Sequence, residues 1–533
     1  MPKRNALRHR TWPVAGTLWA AGISIAIAGL FARIMALPVR HDEQMYLPVG
    51  TLLGQGDLYR DFGFNNLPNL PLLLAATFTV TGTDHYLLTG RLLTFAGWLI
   101  ALLATGLLVK RATRSVPAAM LAALLLITNP VLLGQAGTLA TNNFLPLAFA
   151  LAATAFLFAG LDRAMARPWL IAAAGLCVAV AAGFKANYAY LVPIFAVAAA
   201  CAPSKLPLRD HIVRSILPLG VGGVIGSVPV LFYLLRDPDG FLVHVLGYHR
   251  GPHIEYWIAN ASLDGEKILT LSGKAKLAAR AWLGGGMIVI VAAVALLGWM
   301  KRRGQNEKAE TTASPIWPVL MLLAIIIGGM AMSFIPTPAF AQYYALPLPF
   351  LIILAAQLYG GLASDRRARL APVLLIAGLV VVAMGMPRLI IRLPALAAPS
   401  GWAGNRAHAA GEEVARHMAL AGAAGPVATL TPIYPLEGGL ALYPHLVTGP
   451  LVYRVGDLIP AQDRRHYRNI VSPTSIRRIL EANPPAAVLV GQEGALDDPL
   501  VAYAKAHRYA LATSNLVTDR YGTASLYVRQ SPR

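Results

Sequence analysis

The sequence predicts a mainly α-helical, polytopic membrane protein. About eleven transmembrane spans form a bundle, with interfacial helices in the first outer loop and a small α/β domain at the C-terminal end. Three observations lead there. Only 13% of the 533 residues are charged while 56% are hydrophobic, and mean hydropathy is +0.57; a soluble globular chain carries about a quarter charged residues. The apolar residues fall in runs of about twenty, long enough to cross the hydrocarbon core as helix. After residue 387 the pattern changes, with frequent charges, histidines and prolines and no span-length apolar run.

The runs lie at 14–38, 86–109, 116–133, 141–161, 168–184, 188–202, 215–235, 281–300, 315–335, 341–361 and 370–387. The first has a basic front (Lys3, Arg4, Arg8, Arg10). It is too long for a signal-peptide core and is followed by further spans, so it reads as an anchor. The formal charge of +20 would suit a nucleic-acid partner, but the basic residues sit between apolar runs, as membrane orientation requires. Lys110, Arg111 and Arg114, then Arg163 and Arg167, then Lys205, Arg209 and Arg214 mark every second loop. Lys301, Arg302, Arg303 and Lys308, and finally Arg366, Arg367 and Arg369, continue the alternation. The other loops carry few cations (Arg40, Arg60, Lys185) apart from the long loop 236–280. The N-terminus is therefore expected inside, and an odd span count puts 388–533 outside. Cys177 and Cys201 both lie in apolar segments and suggest neither a disulfide framework nor a metal site.

The first outer loop, HDEQMYLPVGTLLGQGDLYRDFGFNNLPNLPL, holds Asp42, Glu43, Asp57 and Asp61. Met45, Leu47, Val49, Leu52 and Leu53 give 42–54 the pattern of an interfacial helix. The run 71–80 is apolar but too short to span, and the asparagines and prolines between them predict an extended, turn-rich connection. No span carries an Asp or Glu in its apolar interior, which argues against ion-coupled transport. Arg33 and Arg91 lie near span ends and are expected to snorkel.

In the C-terminal region the short β-rich runs 426–431, 486–491 and 524–528 alternate with helical patterns at 412–420, 474–481 and 500–507. This predicts an α/β unit, with domains at 1–387 and 388–533. The stretch GPVATLTPIYPLEGG has glycines but no phosphate-loop or dinucleotide spacing, so it reads as strand and turn.

Three stretches resemble the GT-C class of integral-membrane glycosyltransferases, in its bacterial branch related to protein O-mannosyltransferases and lipid A aminoarabinose transferases. The first runs from Asp42, Glu43 and Tyr46 through Gly56, Tyr59, Arg60, Asp61 and Phe62 to NNLPNLPLLLA and TGTDHYLLTGRLL, with its Gly90-Arg91 pair. The second is GFKAN (183–187) before a proline-containing span, and the third is PAFAQYYALP (338–347). Two features depart from the pattern. TLATNN (138–143) stands where relatives often carry an acid, and paired prolines are here split as Pro68 and Pro71.

The resemblance implies transfer of a sugar from a polyprenyl-phosphate donor to an acceptor hydroxyl, with inversion, on the periplasmic face of a bacterial inner membrane. The acceptor is a lipid, a glycan or a protein. The attacking hydroxyl must lose a proton, and a carboxylate within hydrogen-bond reach serves as base. The resemblance assigns that role to Asp42, with Glu43 supporting it or binding acceptor and Asp61 orienting the acceptor or the adjoining helices. The departing phosphate needs fixed cations or donors. Lys185, on a sparsely charged turn, is the first candidate, with Asn187 as a neutral donor beside it; a snorkelling lysine is the alternative. Within GYHRGPHIEY, Arg250, His249 and His253 rank second. Two histidines with Glu255 raise a metal reading, but the spacing matches no ligand pattern; whether a divalent cation takes part stays open. Tyr343 and Tyr344 either pack against lipid or sugar or belong to an aromatic belt. The competing class is a non-catalytic lipid-linked-sugar flippase or an envelope-polysaccharide assembly subunit.

Overall fold

A computed structural model describes residues 6–161, 166–202, 207–261, 268–305 and 315–530. Lys3, Arg4, Arg163, Lys205 and Lys308 of the charge pattern lie outside the described residues.

A helix lies under each expected span. They are α1 (Ala6–Ala36), α4 (Tyr86–Thr113), α5 (Val116–Ile127), α6 (Leu145–Gly160), α7 (Pro168–Phe184) and α8 (Leu191–Cys201), followed by α9 (Leu208–Arg236). After α10 (Leu271–Leu283) come α11 (Met287–Gln305), α12 (Trp317–Ser333), α13 (Pro347–Gly360) and α14 (Ser364–Gly385). Five described helices are each long and apolar enough to cross a membrane alone, and the α10–α11 pair, bent by 74°, makes a sixth. The others are shorter. In α5 the cause is local: Asn129 turns its Oδ1 onto the amides of Val131 and Leu132, and Pro130 removes a donor, so the helix stops at Ile127 instead of continuing to 133.

Helix contacts use small residues where backbones must approach. Gly222 and Gly226, four apart on α9, face the carbonyls of Ala172 and Leu176 on α7, where a Cβ would collide. Such a spacing suits helix packing in lipid, where there is no hydrophobic drive to bring helices together.

The first loop forms α2 (His41–Leu52) and α3 (Asn69–Thr81), as the sequence predicts. Yet α2 does not lie open on a surface. Met45, Tyr46, Leu47 and Val49 are buried in one core with Leu70, Leu74 and Phe78 and with Ala403, Ala407, Ile433 and Tyr434 of the C-terminal region. Burying each large side chain is worth about 1.5–3 kcal/mol, so the region after 387 holds the loop down. That region contains α15 (Ala403–Leu420), α16 (Ile433–Glu437), α17 (Ile476–Ala482) and α18 (Asp498–Ala506). Besides a short hairpin (Thr518–Asp519 with Gly522–Thr523), it has the strands β1 (Val427–Thr429), β2 (Ala487–Val490), β3 (Ala510–Thr513) and β4 (Ser525–Val528). They form one sheet in the order β1-β2-β4-β3, with β1 and β2 parallel and the other pairs antiparallel. The mainly α bundle with its small C-terminal α/β region is therefore present.

Candidate active site

The site forms where the first turn of α2 meets the ends of α4 and α7, the 138–143 segment and the C-terminal region. Asp42 and Glu43 are neighbours on that turn but have opposite surroundings. Glu43 is fully buried, and each of its oxygens is used twice. Oε1 accepts from Arg91 Nε at 3.0 Å and the Ala140 amide at 3.0 Å. Oε2 accepts from Arg91 Nη2 at 2.9 Å and the Arg40 amide at 3.1 Å.

The guanidinium of Arg91 also donates to the carbonyls of Ile34, Met35, Leu37 and Pro38 at and just after the end of α1. Arg91 is 0% exposed, so the expectation that it snorkels is corrected. A local carboxylate and four backbone carbonyls satisfy the charge in place, which makes the reach to a headgroup unnecessary. Gly90 permits this, because a Cβ there would meet Leu47 at 2.8 Å and Ala140 at 2.9 Å. Arg33 likewise turns inward, its Nε donating to the Leu133 carbonyl at 2.7 Å.

Asp42 is partly exposed, and its carboxylate accepts no hydrogen bond from a described residue. Burial pushes its carboxyl above the usual range, opposed by the charges of His41, Lys185 and Arg454. It is the uncommitted acid of the pair. Lys185 closes α7 and donates to Asn143 Oδ1 at 2.6 Å, with its ammonium 4.6 Å from the centre of the Tyr343 ring. Burial brings this ammonium down to about 8, while Asp42 acts against the shift. Lys185, Asn187, Asn143, Ser333, Gln342 and Tyr343 line one polar recess. The segments GFKAN and PAFAQYYALP thus meet, about 150 residues apart in sequence.

The remaining candidates separate. Tyr344 turns away from the recess and is buried against Trp282 and Phe334. Asp61 is committed to the loop: Oδ2 accepts the Asp57 amide at 2.8 Å and Oδ1 pairs with Arg468 at 3.3 Å. Asp57 reaches Arg236 at 3.1 Å, which ties the same loop to α9. His249 holds the Asn65 carbonyl through Nε2 at 2.8 Å, leaving that nitrogen unavailable to a metal. The enclosing protein and then the Lys185 charge disfavour its imidazolium, against the pull of the Asn65 carbonyl. Arg250 is exposed and makes no hydrogen bond to a described residue.

A further cation acting on Asp42 is Arg454, stacked over Tyr256 and Trp257 at 5.2 and 4.8 Å. Nothing in its sequence neighbourhood marks it. Asn143 was more legible, since a paired asparagine just before the apolar run of α6 is costly without a partner; TLATNN supplies the amide that holds Lys185.

The fold and the site together define a multi-pass helical membrane protein with an acid and a lysine at the mouth of its bundle. No protein-family profile matches the chain, and no curated protein sequence matches it. Among solved structures, ArnT from Cupriavidus metallidurans bound to undecaprenyl phosphate superposes with a TM-score of 0.60 at 14% identity, covering 98% of this chain and 99% of that one. Its apo state gives 0.62 at 14% identity, covering 97% and 100%. The likeness spans the C-terminal region as well as the bundle.

Proposed function

We propose that the chain is a glycosyltransferase that moves a sugar from a polyprenyl-phosphate donor to an acceptor hydroxyl with inversion. The observation that carries this is Asp42, whose carboxylate accepts no hydrogen bond from a described residue and feels the charge of Lys185, which is held by Asn143 in the polar recess. The similarity in fold to ArnT bound to undecaprenyl phosphate supports the donor class.

In this reading the acceptor oxygen attacks the anomeric carbon from the face opposite the phosphate. Its proton passes to Asp42, a new C–O bond forms, and the old C–O bond breaks with its electron pair leaving on the polyprenyl phosphate. Lys185 meets the charge growing on that phosphate, with Asn143 and Asn187 as neutral donors and Arg454 as a second cation. Glu43 acts at one remove: its ion pair with Arg91 positions the turn that carries Asp42. The polyprenyl tail stays in lipid while the phosphate rests at headgroup depth, where the helix ends gather. The basic-loop pattern supports an outer position for this end with the N-terminus inside, and the family resemblance supports the periplasmic side of a bacterial inner membrane. Residues 1–387 then form the catalytic bundle and 388–533 its cap.

The test is incubation of the purified protein with a panel of radiolabelled polyprenyl-phosphate sugars, following transfer or hydrolysis. Asp42→Asn should lower turnover by about a hundred- to ten-thousand-fold with expression and melting unchanged. Near-normal turnover in that variant would remove Asp42 from the role of base.

A further inference from the structure

Away from Asp42, a second polar cluster joins the bundle to the C-terminal region. The turn after α3 reverses at Gly82, which takes a left-handed φ of 62°, and presents Asp84 and His85 just before α4. Across from it, α15 packs so closely that a Cβ at Gly404 would meet Leu88 at 2.8 Å. One turn further along α15 stands His408. The two imidazoles are stacked, with ring centres 3.8 Å apart and planes at 25°. One ligand atom from each of Asp84, His85 and His408 lies within 4.8 Å of the others.

The surroundings of His408 are those of an oriented ligand. Glu437, whose side chain is 0% exposed, lies with Oε2 3.3 Å from His408 Nδ1, and its Oε1 accepts the Leu87 amide at 2.7 Å. With Nδ1 donating to Glu437, the lone pair of His408 falls on Nε2, which faces the cluster and stands 3.8 Å from Glu412 Oε1. A carboxylate holding the far nitrogen is the usual support of a metal-bound histidine. An independent sign is His85 Nδ1, which is buried and has no hydrogen-bond partner. A buried polar atom of this kind calls for a missing partner. The site described above uses none of these residues.

We propose that Asp84, His85 and His408 bind one divalent transition-metal ion of the zinc class, with Glu412 completing a four-ligand shell and Glu437 setting the tautomer of His408. Two imidazoles with carboxylates select zinc-like ions over calcium or magnesium, which prefer all-oxygen shells. Zinc–ligand bonds of about 2.0–2.2 Å require the imidazoles to tilt out of their stack and the carboxylates to swing inward. Asp84 and Glu412, with side chains 76% and 69% exposed, are free to do so. The ion would clasp the turn before α4 to α15, fastening the C-terminal region over the bundle.

The experiment uses the full chain in nanodiscs, stripped with a chelator and titrated with Zn2+, Co2+ and Ca2+. One zinc per chain should survive desalting, Co2+ should show visible bands of a tetrahedral site, and Zn2+ but not Ca2+ should raise the melting temperature. His85→Ala and His408→Ala should each abolish these responses, and Glu437→Gln should weaken zinc binding by about ten- to a hundred-fold. If a histidine variant melts below the stripped wild type, Asp84→Asn decides, because that exposed side chain supports no packing. The proposal is overturned if the wild type retains no stoichiometric zinc. Equal binding by the His85→Ala/His408→Ala double variant, or by Asp84→Asn, would overturn it too.

Discussion

Replacing Arg91 with leucine should unfold the mouth of the site without touching any residue proposed to contact substrate. The guanidinium supplies two of the four hydrogen bonds that Glu43 accepts, and both side chains are 0% exposed. Removing it leaves a buried carboxylate with only the Ala140 and Arg40 amides, and the carbonyls of Ile34, Met35, Leu37 and Pro38 lose their side-chain donor. Breaking one partner of such a pair costs about 3–5 kcal/mol. At about 1.4 kcal/mol per tenfold, that is roughly a hundred- to several-thousandfold in the folded population. The measurement is retention of folded protein on heating in detergent, read alongside transfer at a temperature where the variant is still folded. Arg91→Lys should recover only part of the loss, since an ammonium cannot reproduce the fork. A Glu43→Leu/Arg91→Leu double variant should be more stable than Arg91→Leu, because it removes the stranded charge. Should Arg91→Leu melt like the wild type, the pair would not be what holds the α2 turn. Should the double variant be the least stable, the cost would lie in packing, not in the uncompensated carboxylate.

Two further outcomes concern the recess. Lys185→Met keeps the apolar stem and removes the charge, so donor-lipid affinity should fall, with turnover falling as well if the ammonium stabilises the leaving phosphate; unchanged affinity and turnover would reduce Lys185 to a membrane-edge lysine. The pH profile of transfer should be bell-shaped. Its acid limb follows Asp42, which must be ionised to accept a proton and is shifted upward by burial, so activity rises with pH through a range above that of ordinary carboxylates. Its basic limb follows Lys185, brought down to about 8 in the absence of donor; kcat/KM, which reports the free enzyme, should fall as pH rises through that value. A basic limb unmoved in Lys185→Met would assign it to another group.

Much of this protein was decided by local sequence. Apolar runs of span length become helices wherever they occur, because buried backbone in lipid must satisfy its own hydrogen bonds, and each predicted run holds one. Proline, glycine and asparagine clusters fixed where α2 and α3 begin and end, and β1, β2 and β4 fell on the short β-rich runs, whereas β3 (Ala510–Thr513) lies outside them. The three stretches that resemble GT-C enzymes anticipated the fold that the chain shares with ArnT. What local pattern left undecided is which charged side chain is buried and with whom. Asp42 and Glu43 are adjacent and chemically alike, yet Glu43 is paired with an arginine 48 residues away while the Asp42 carboxylate accepts no hydrogen bond from a described residue. Asn143, Arg454 and the turn that brings Asp84 and His85 against His408 are likewise placed by helix crossings and by the C-terminal region closing over the first loop. Partner choice depends on atoms distant in sequence and near in space, so composition and spacing name the candidate acids and cations while packing alone selects among them.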